Sequence, residues 1–206
     1  PVGPPCNICA PEPPYASLLR MDRNTGAYEV IAQGIRNTVG FDFEPGTGVL
    51  WFSDNGRDML GDEIPPEELN RLAAPGAHFG YPYVHGGAVL DPEFGKGHRL
   101  EDYAAPEARL PAHSAPLGLA FYTGSAFPER YRGTLFFAQH GSWNRSEKIG
   151  YQVSVAFLEN GKIQRIEPFL TGFLDGETTL GRPVDVVVEP SGALLVSDDH
   201  RGAVYR

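Results

Sequence analysis

Three stretches of the chain alternate apolar and polar residues in short runs broken by Gly and Pro. They are GFDFEPGTGVLWFSDNG at 40–56, a longer version from Leu117 to Gly141, and VDVVVEPSGALLVSDD at 184–199. Apolar runs of four to six residues with a period of two fit half-buried or buried strands and are too short for helices. The pattern predicts first strands over Gly40–Phe43, Leu117–Tyr122 and Val184–Val188, each followed by a turn. Second strands are predicted over Val49–Ser53, Thr134–Ala138 and Ala193–Ser197. Further strand patterns lie at 151–158 (YQVSVAFL) and 162–170 (KIQRIEPFL), joined by an Asn160-Gly161 hairpin turn. A similar pair, ASLLRMD and AYEVIAQG, flanks Asn24-Thr25-Gly26. PPEELNRL at 65–72 reads as a short helix, with Pro at its start and Glu67 and Glu68 suited to its N-terminal dipole.

These stretches are copies of one unit. Laying Glu44-Pro45 over Glu189-Pro190 brings Leu50 onto Leu194 and Ser53-Asp54 onto Ser197-Asp198, with Asn37 over Arg182. The middle copy has a longer hairpin loop, and places Leu135 over Leu50 and His140-Gly141 over Asn55-Gly56. The matched leucines are spaced by 85 and 59 residues, and each unit has material for four strands. That spacing predicts an all-β fold, a β-propeller with loop insertions, carried as one domain over 1–206. A β-sandwich is the competing architecture, but it leaves the repeated Pro-x-Gly turns unexplained. About three units are present where a closed propeller uses at least about four. The expectation is an arc whose remaining blades precede Pro1.

Composition narrows the class. The 206 residues include 25 Gly and 19 Pro, with 41% hydrophobic and 11% aromatic residues, enough for a core. The net charge of −9 comes without a basic cluster, so a phosphate backbone is not an expected partner. No apolar run approaches the roughly 18 residues of a membrane span. Cys6 and Cys9 form CNIC, half a zinc site at most; a structural disulfide or two free thiols are the competing readings.

In such a repeat the start of each first strand and the end of each second strand emerge on one face. Arg36, Asn37, Asp54, Asn55, Gly56, Arg57 and Asp58 share it with His113, Gln139 to Arg145, Arg182, Asp198, Asp199 and His200. Around a common axis these groups converge on one mouth, a ligand site on loops held by a rigid scaffold. Arg36, Arg145 and Arg182 offer planar forks for carboxylates, Trp143 a stacking face and His140 a titratable ring. The plainer reading pairs the arginines with Asp54, Asp58, Asp198 and Asp199 as structural bridges and leaves Trp143 as a rim aromatic. His78, His85 and His98 show no ligand spacing and read as structural. Asp58, Asp62 and Glu63 on a Gly-rich loop are hard oxygen ligands of the kind calcium takes.

GIRNTVGFDFEPGTGVLWFSDNGRDMLGDEIPPEELN, GAHFGYP, HSAPLG, HGSWNR and GRPVDVVVEPSGALLVSDD together resemble the soluble quinoprotein glucose/sorbosone dehydrogenases, in particular the sorbosone-dehydrogenase branch. The resemblance implies a six-bladed propeller, of which this chain is the C-terminal half. It also implies pyrroloquinoline quinone (PQQ) and Ca²⁺ at the axial mouth. The implied reaction is oxidation of a sugar or polyol by hydride transfer, in the periplasm or outside the cell. By resemblance, Arg36-Asn37 contact the quinone, and the backbone of Gly56 and Arg57 holds the quinone-bound calcium. Asp62, Glu63 and Phe79 fall near a second, structural calcium. Arg182 lies near one of two paired cofactor-binding arginines, with Val184 at the other position. His140 and Arg145 stand where the glucose branch uses lysine, and Trp143 lies between them. The family's proton acceptor is a histidine of the N-terminal half, so His113 and His140 are the local candidates for that role. The alternative is a calcium-dependent lactone hydrolase or a non-catalytic binding propeller.

Overall fold

The computed structural model describes residues 15–206; the CNIC pair lies outside them. The chain opens with β1 (Ser17–Met21), β2 (Tyr28–Gln33), β3 (Phe41–Phe43), β4 (Leu50–Asp54), β5 (Glu67–Leu72) and β6 (Ala77–His78). It continues through β7 (Val84–His85), β8 (Val89–Leu90), β9 (Ala108–Leu110), β10 (Pro116–Phe121), β11 (Leu135–Gln139) and β12 (Gln152–Glu159). It closes with β13 (Lys162–Leu170), β14 (Leu174–Asp175), β15 (Thr178–Thr179), β16 (Pro183–Val188), β17 (Leu194–Asp198) and β18 (Ala203–Tyr205). The strand pairs read from the hydrophobic pattern are all present, with ends displaced by about one residue.

Two four-stranded sheets, β3-β4-β5-β9 and β10-β11-β12-β13, are antiparallel throughout. Two three-stranded sheets flank them: β1-β2-β6, in which β6 runs parallel to β2, and β16-β17-β18. β7-β8 and β14-β15 are separate hairpins. The hairpin from β12 to β13 turns at Asn160 and Gly161, with φ of 52° and 71°, the left-handed pair that a two-residue turn needs. Among the described residues no helix is long and apolar enough to cross a membrane.

The segment 65–72 departs from the sequence expectation. It is strand β5, not a helix, and its register pairs Phe52 with Asn70 and Asp54 with Glu68. Helix formers in PPEELN set only a weak local preference. The ladder to β4 on one side and β9 on the other outweighs it, and Glu67 and Glu68 are buried.

The cores lie between sheets. Phe52 packs with Ala32, Ile35 and Phe79 toward the first sheet, while Trp51 on the opposite face joins Leu69, Leu119, Phe121, Leu135 and Phe137. β11 repeats the arrangement: Phe136 turns to Tyr122, Val153, Val186 and Val196. β4 and β11 are therefore buried on both faces, which explains their unbroken apolar runs. With sheets stacked face to face around their first strands, the fold is a β-propeller.

β3, β10 and β16 approach one another closely at the hub, where glycines leave room for the neighbouring strand. A Cβ on Gly40 would lie 2.3 Å from the Leu117 carbonyl oxygen, and one on Gly118 would overlap the Asp185 carboxylate and lie 2.6 Å from Asp185 Cα. Ser53 Oγ donates to the Leu117 carbonyl at 2.7 Å and Asn55 Nδ2 to the Pro116 carbonyl at 3.0 Å. Gly118→Ala is therefore expected to push the third and fourth sheets apart, at about 1–3 kcal/mol of overpacking strain. A denaturant midpoint equal to wild type would refute that spacing role.

Candidate functional site

A Ser-Asp pair ends the second strand of two sheets, and both pairs do the same work. Ser53 Oγ accepts from the Gly40 amide at 3.3 Å, and Ser197 Oγ from the Asp185 amide at 3.1 Å. One residue on, Asp54 accepts from the amides of Arg36 and Asn37 at 2.9 and 2.6 Å. Asp198 accepts from the amides of Arg182 and Arg201 at 2.9 and 3.0 Å. Each aspartate thus fixes the backbone from which an arginine projects into the rim. Of the four aspartates expected to bridge to guanidinium groups, Asp54 and Asp198 instead hold main chain, while Asp58 does meet Arg36.

The guanidinium groups go to carbonyl pairs. Arg36 Nη1 donates to Asn55 O at 3.2 Å and Gly56 O at 2.6 Å, and its Nη2 meets Asp58 at 3.2 Å. Its side chain is only 16% exposed, and Nε is buried without a partner. Arg182 donates through Nε to His140 O at 3.1 Å and through Nη2 to Gly141 O at 2.8 Å. His140-Gly141 is the dipeptide that the repeat lays over Asn55-Gly56. An arginine on the equivalent dipeptide therefore occurs twice, through Nη1 alone within a sheet's own loop and through Nε and Nη2 across to the preceding sheet.

The remaining rim residues join these two points. His140 Nε2 lies 2.9 and 3.1 Å from the two carboxylate oxygens of Asp199. His113, with φ of 67°, reaches the Gly61 carbonyl at 2.8 Å through Nε2. Arg145 binds the Asp62 carbonyl and the Glu63 carboxylate, the latter at 2.5 Å, and Asp62 Oδ1 accepts from the Ser146 amide. Arg36, His113 and Arg145 consequently all grip the 55–63 loop, and Arg182 and Asp199 grip His140 and Gly141. Asn37 adds its carbonyl, which accepts from Asn55 Nδ2 at 3.1 Å. Trp143 stands on this rim with 66% of its surface exposed.

Other predicted residues point elsewhere. Arg57 turns to Asp91 at 2.6 Å, where His85 Nε2 also binds at 2.8 Å. The Phe79 ring lies edge-to-face on Phe52 at 5.0 Å, inside the core, while Asp62 and Glu63 are engaged by the 145–146 backbone and Arg145. Among the described residues no group of three or more His, Cys, Asp and Glu side chains is placed to hold a metal ion. His98 stacks on Tyr83 at 3.9 Å and bonds to Tyr103, and His78 Nδ1 accepts from the Gly80 amide, as structural histidines do.

Sequence reasoning missed two features beneath the rim. Tyr151, with φ of 55°, lies 5.6 Å below the Arg182 guanidinium and donates to the Ser142 carbonyl at 2.6 Å. A Cβ on Gly141 would lie 2.4 Å from its ring, so glycine is required there. The second is a set of buried carboxylates. Glu67 Oε2 accepts from the Gly56 amide at 2.5 Å, and Glu68 accepts from the Gly86 amide at 2.7 Å and Asn70 Nδ2 at 2.8 Å. Burial pushes the carboxyls of Asp54, Glu67 and Glu68 up to about 6, 7 and 8. The Asp54 charge adds to the upward shift of both glutamates. Burial opposes the Asp91 charge too, but bonds from His85, Arg57 and two backbone amides outweigh it and hold that carboxyl down at about 2.

The model of the glucose/sorbosone dehydrogenase family matches residues 19–206. An uncharacterized protein of Borreliella burgdorferi is 39% identical over 209 residues, covering 100% of this chain and 55% of its own length. The holo form of the PQQ domain of Coprinopsis cinerea pyranose dehydrogenase superposes with a TM-score of 0.74 at 22% identity, over 92% of this chain and 60% of that one. The apo form of the soluble aldose sugar dehydrogenase of Escherichia coli gives 0.59 at 23% identity, over 86% and 46%. The chain spans about half the length of these relatives. The two structures share its fold, and the family match runs through every strand from β2 to β18: the chain belongs to the glucose/sorbosone dehydrogenase family.

Proposed function

We propose that the rim built by Arg36, His140 and Arg182 is the quinone end of a sugar dehydrogenase that oxidises an aldose or polyol with PQQ and Ca²⁺. In this reading six sheets surround the axis in the intact protein, which works in the periplasm or outside the cell. The observation that carries it is the Arg36 corner. A guanidinium with a buried, unpartnered Nε stands beside the Asn55 and Gly56 carbonyl oxygens, a cation next to oxygen donors. That mixture suits a ligand that is itself a polycarboxylate and brings a cation with it. PQQ and calcium would supply hydride acceptance and polarisation of the accepting carbonyl.

The chain's own part is binding and orientation. Arg36 and Arg182 would take the carboxylates, with Asn37 and Arg145 completing the rim and Trp143 offering an exposed stacking face. The Gly56 and Arg57 carbonyls would hold the quinone-bound calcium; Asp62, Glu63 and Phe79 are the candidates for a second. His140 has the setting a proton acceptor needs, because Asp199 fixes one ring nitrogen and leaves the other available. His113 is committed to the Gly61 carbonyl through Nε2.

Titrating the protein with PQQ and Ca²⁺, followed by absorbance and by dye reduction with a panel of aldoses, tests the assignment. Arg36→Ala is expected to weaken PQQ binding about 10- to 100-fold, the worth of one charge-assisted hydrogen-bonding group. A lactone hydrolase or a plain binding propeller would show no PQQ dependence and would lose nothing with Arg36.

A further inference from the structure

The Gly56 carbonyl is offered to two cations at once. In the proposed function it faces calcium, yet here it accepts the Arg36 guanidinium at 2.6 Å, and the same Nη1 reaches Asn55 O at 3.2 Å. A carbonyl oxygen has two lone pairs, so valence is no obstacle. Charge is. Calcium sits about 2.3–2.6 Å from its oxygen ligands, which would leave a divalent ion and a guanidinium within about 5 Å of each other across one neutral oxygen. Both partners of the carbonyl are held in place. Gly56 is pinned from behind by Glu67 at 2.5 Å and packed against Pro65, while the Arg36 backbone is anchored by Asp54.

We propose that Arg36 is the resident cation of the Asn55–Gly56 carbonyl pair, that Arg36 and calcium exclude one another there, and that a ligand carboxylate frees the pair by drawing the guanidinium away. The inference rests on the quinone reading of the mouth and adds an order to it. Metal alone meets a filled seat, and the carboxylate ligand empties that seat by offering Arg36 a better partner. Asp58, at 3.2 Å from Nη2 and about a third exposed, is the lesser anion that the ligand displaces. The Arg182 contacts with His140-Gly141 show that the equivalent dipeptide of the next sheet also accepts an arginine.

The test is calcium affinity measured by calorimetry on chelator-stripped protein without quinone, in wild type, Arg36→Gln and Arg36→Lys. Arg36→Gln removes the charge and shortens the side chain while keeping a neutral donor. It is expected to tighten calcium binding tenfold or more, whereas Arg36→Lys keeps the charge and should stay close to wild type. Should Arg36→Gln bind calcium no better than wild type while wild type still binds PQQ, the exclusion is overturned and the quinone reading stands. If wild type binds no PQQ with or without calcium, the reading of the mouth fails and the inference falls with it.

Discussion

Raising the pH from about 6.5 to 9 is expected to destabilise the metal-free protein, and Glu68→Gln is expected to remove much of that loss. Burial raises the folded-state pKa of Glu68 to about 8 and that of Glu67 to about 7, while both are ionised in the unfolded chain well below neutrality. In this window the folded state holds more protons than the unfolded state, so stability falls as pH rises through the folded values. A proton held across one pH unit corresponds to about 1.4 kcal/mol, so Glu68 alone removes on the order of 2 kcal/mol between those limits. Asp54, raised to about 6, adds to the decline at the acid edge. Below about 6.5 half-buried His78 and buried His85 oppose this trend, because their pKa values are lowered and they resist the charge that the unfolded chain accepts. Asp91 adds a further loss as the pH drops toward 2. Thermal melts across pH for wild type and Glu68→Gln decide the matter; parallel profiles above pH 7 would show that Glu68 is not held protonated.

Phe136→Ala should be the most damaging single truncation. The ring is fully buried and touches four others, with centroids 5.8 Å away at Tyr122, 6.1 Å at Phe127, 5.9 Å at Tyr131 and 4.7 Å at Phe169. It belongs to the cluster that joins the third sheet to the fourth through Val186 and Val196. Loss of such a ring costs about 3–5 kcal/mol through transfer and cavity terms together. For a chain of this size that amounts to a fall in Tm of about 6–20 °C. Phe136→Leu keeps most of the volume and should cost less than half as much. A drop of under 2 °C for the alanine variant would mean that the two sheets are not joined at this cluster.

Most of the fold was legible because the repeat unit writes its strands as apolar runs between Gly and Pro turns. The doubly buried β4 and β11 are its clearest copies. The ends slipped by one residue because Asp54 and Asp198 look like loop residues, yet they still pair in the ladder while binding the arginine backbones. β5 was hidden by its own composition: Glu and Asn favour neither a strand nor a core, and only the amides of Gly56 and Gly86 make them acceptable inside. At the rim, the repeat predicts Arg36, His140 and Arg182 on one face, and the structure seats Arg182 on the His140 and Gly141 carbonyls, but the partners themselves could not be read from the sequence. Sequence pairs an arginine with the nearest acid, whereas here main-chain oxygens receive Arg182 and share Arg36 with Asp58 and Arg145 with Glu63.

The glycine seam at the hub has a consequence of its own. Where Gly40 and Gly118 leave room for the next first strand, the spacing between neighbouring first strands is held to a distance that a single Cβ would break. Repacking farther out along the sheets can therefore leave that spacing, and the strand ends that carry the rim, where they are.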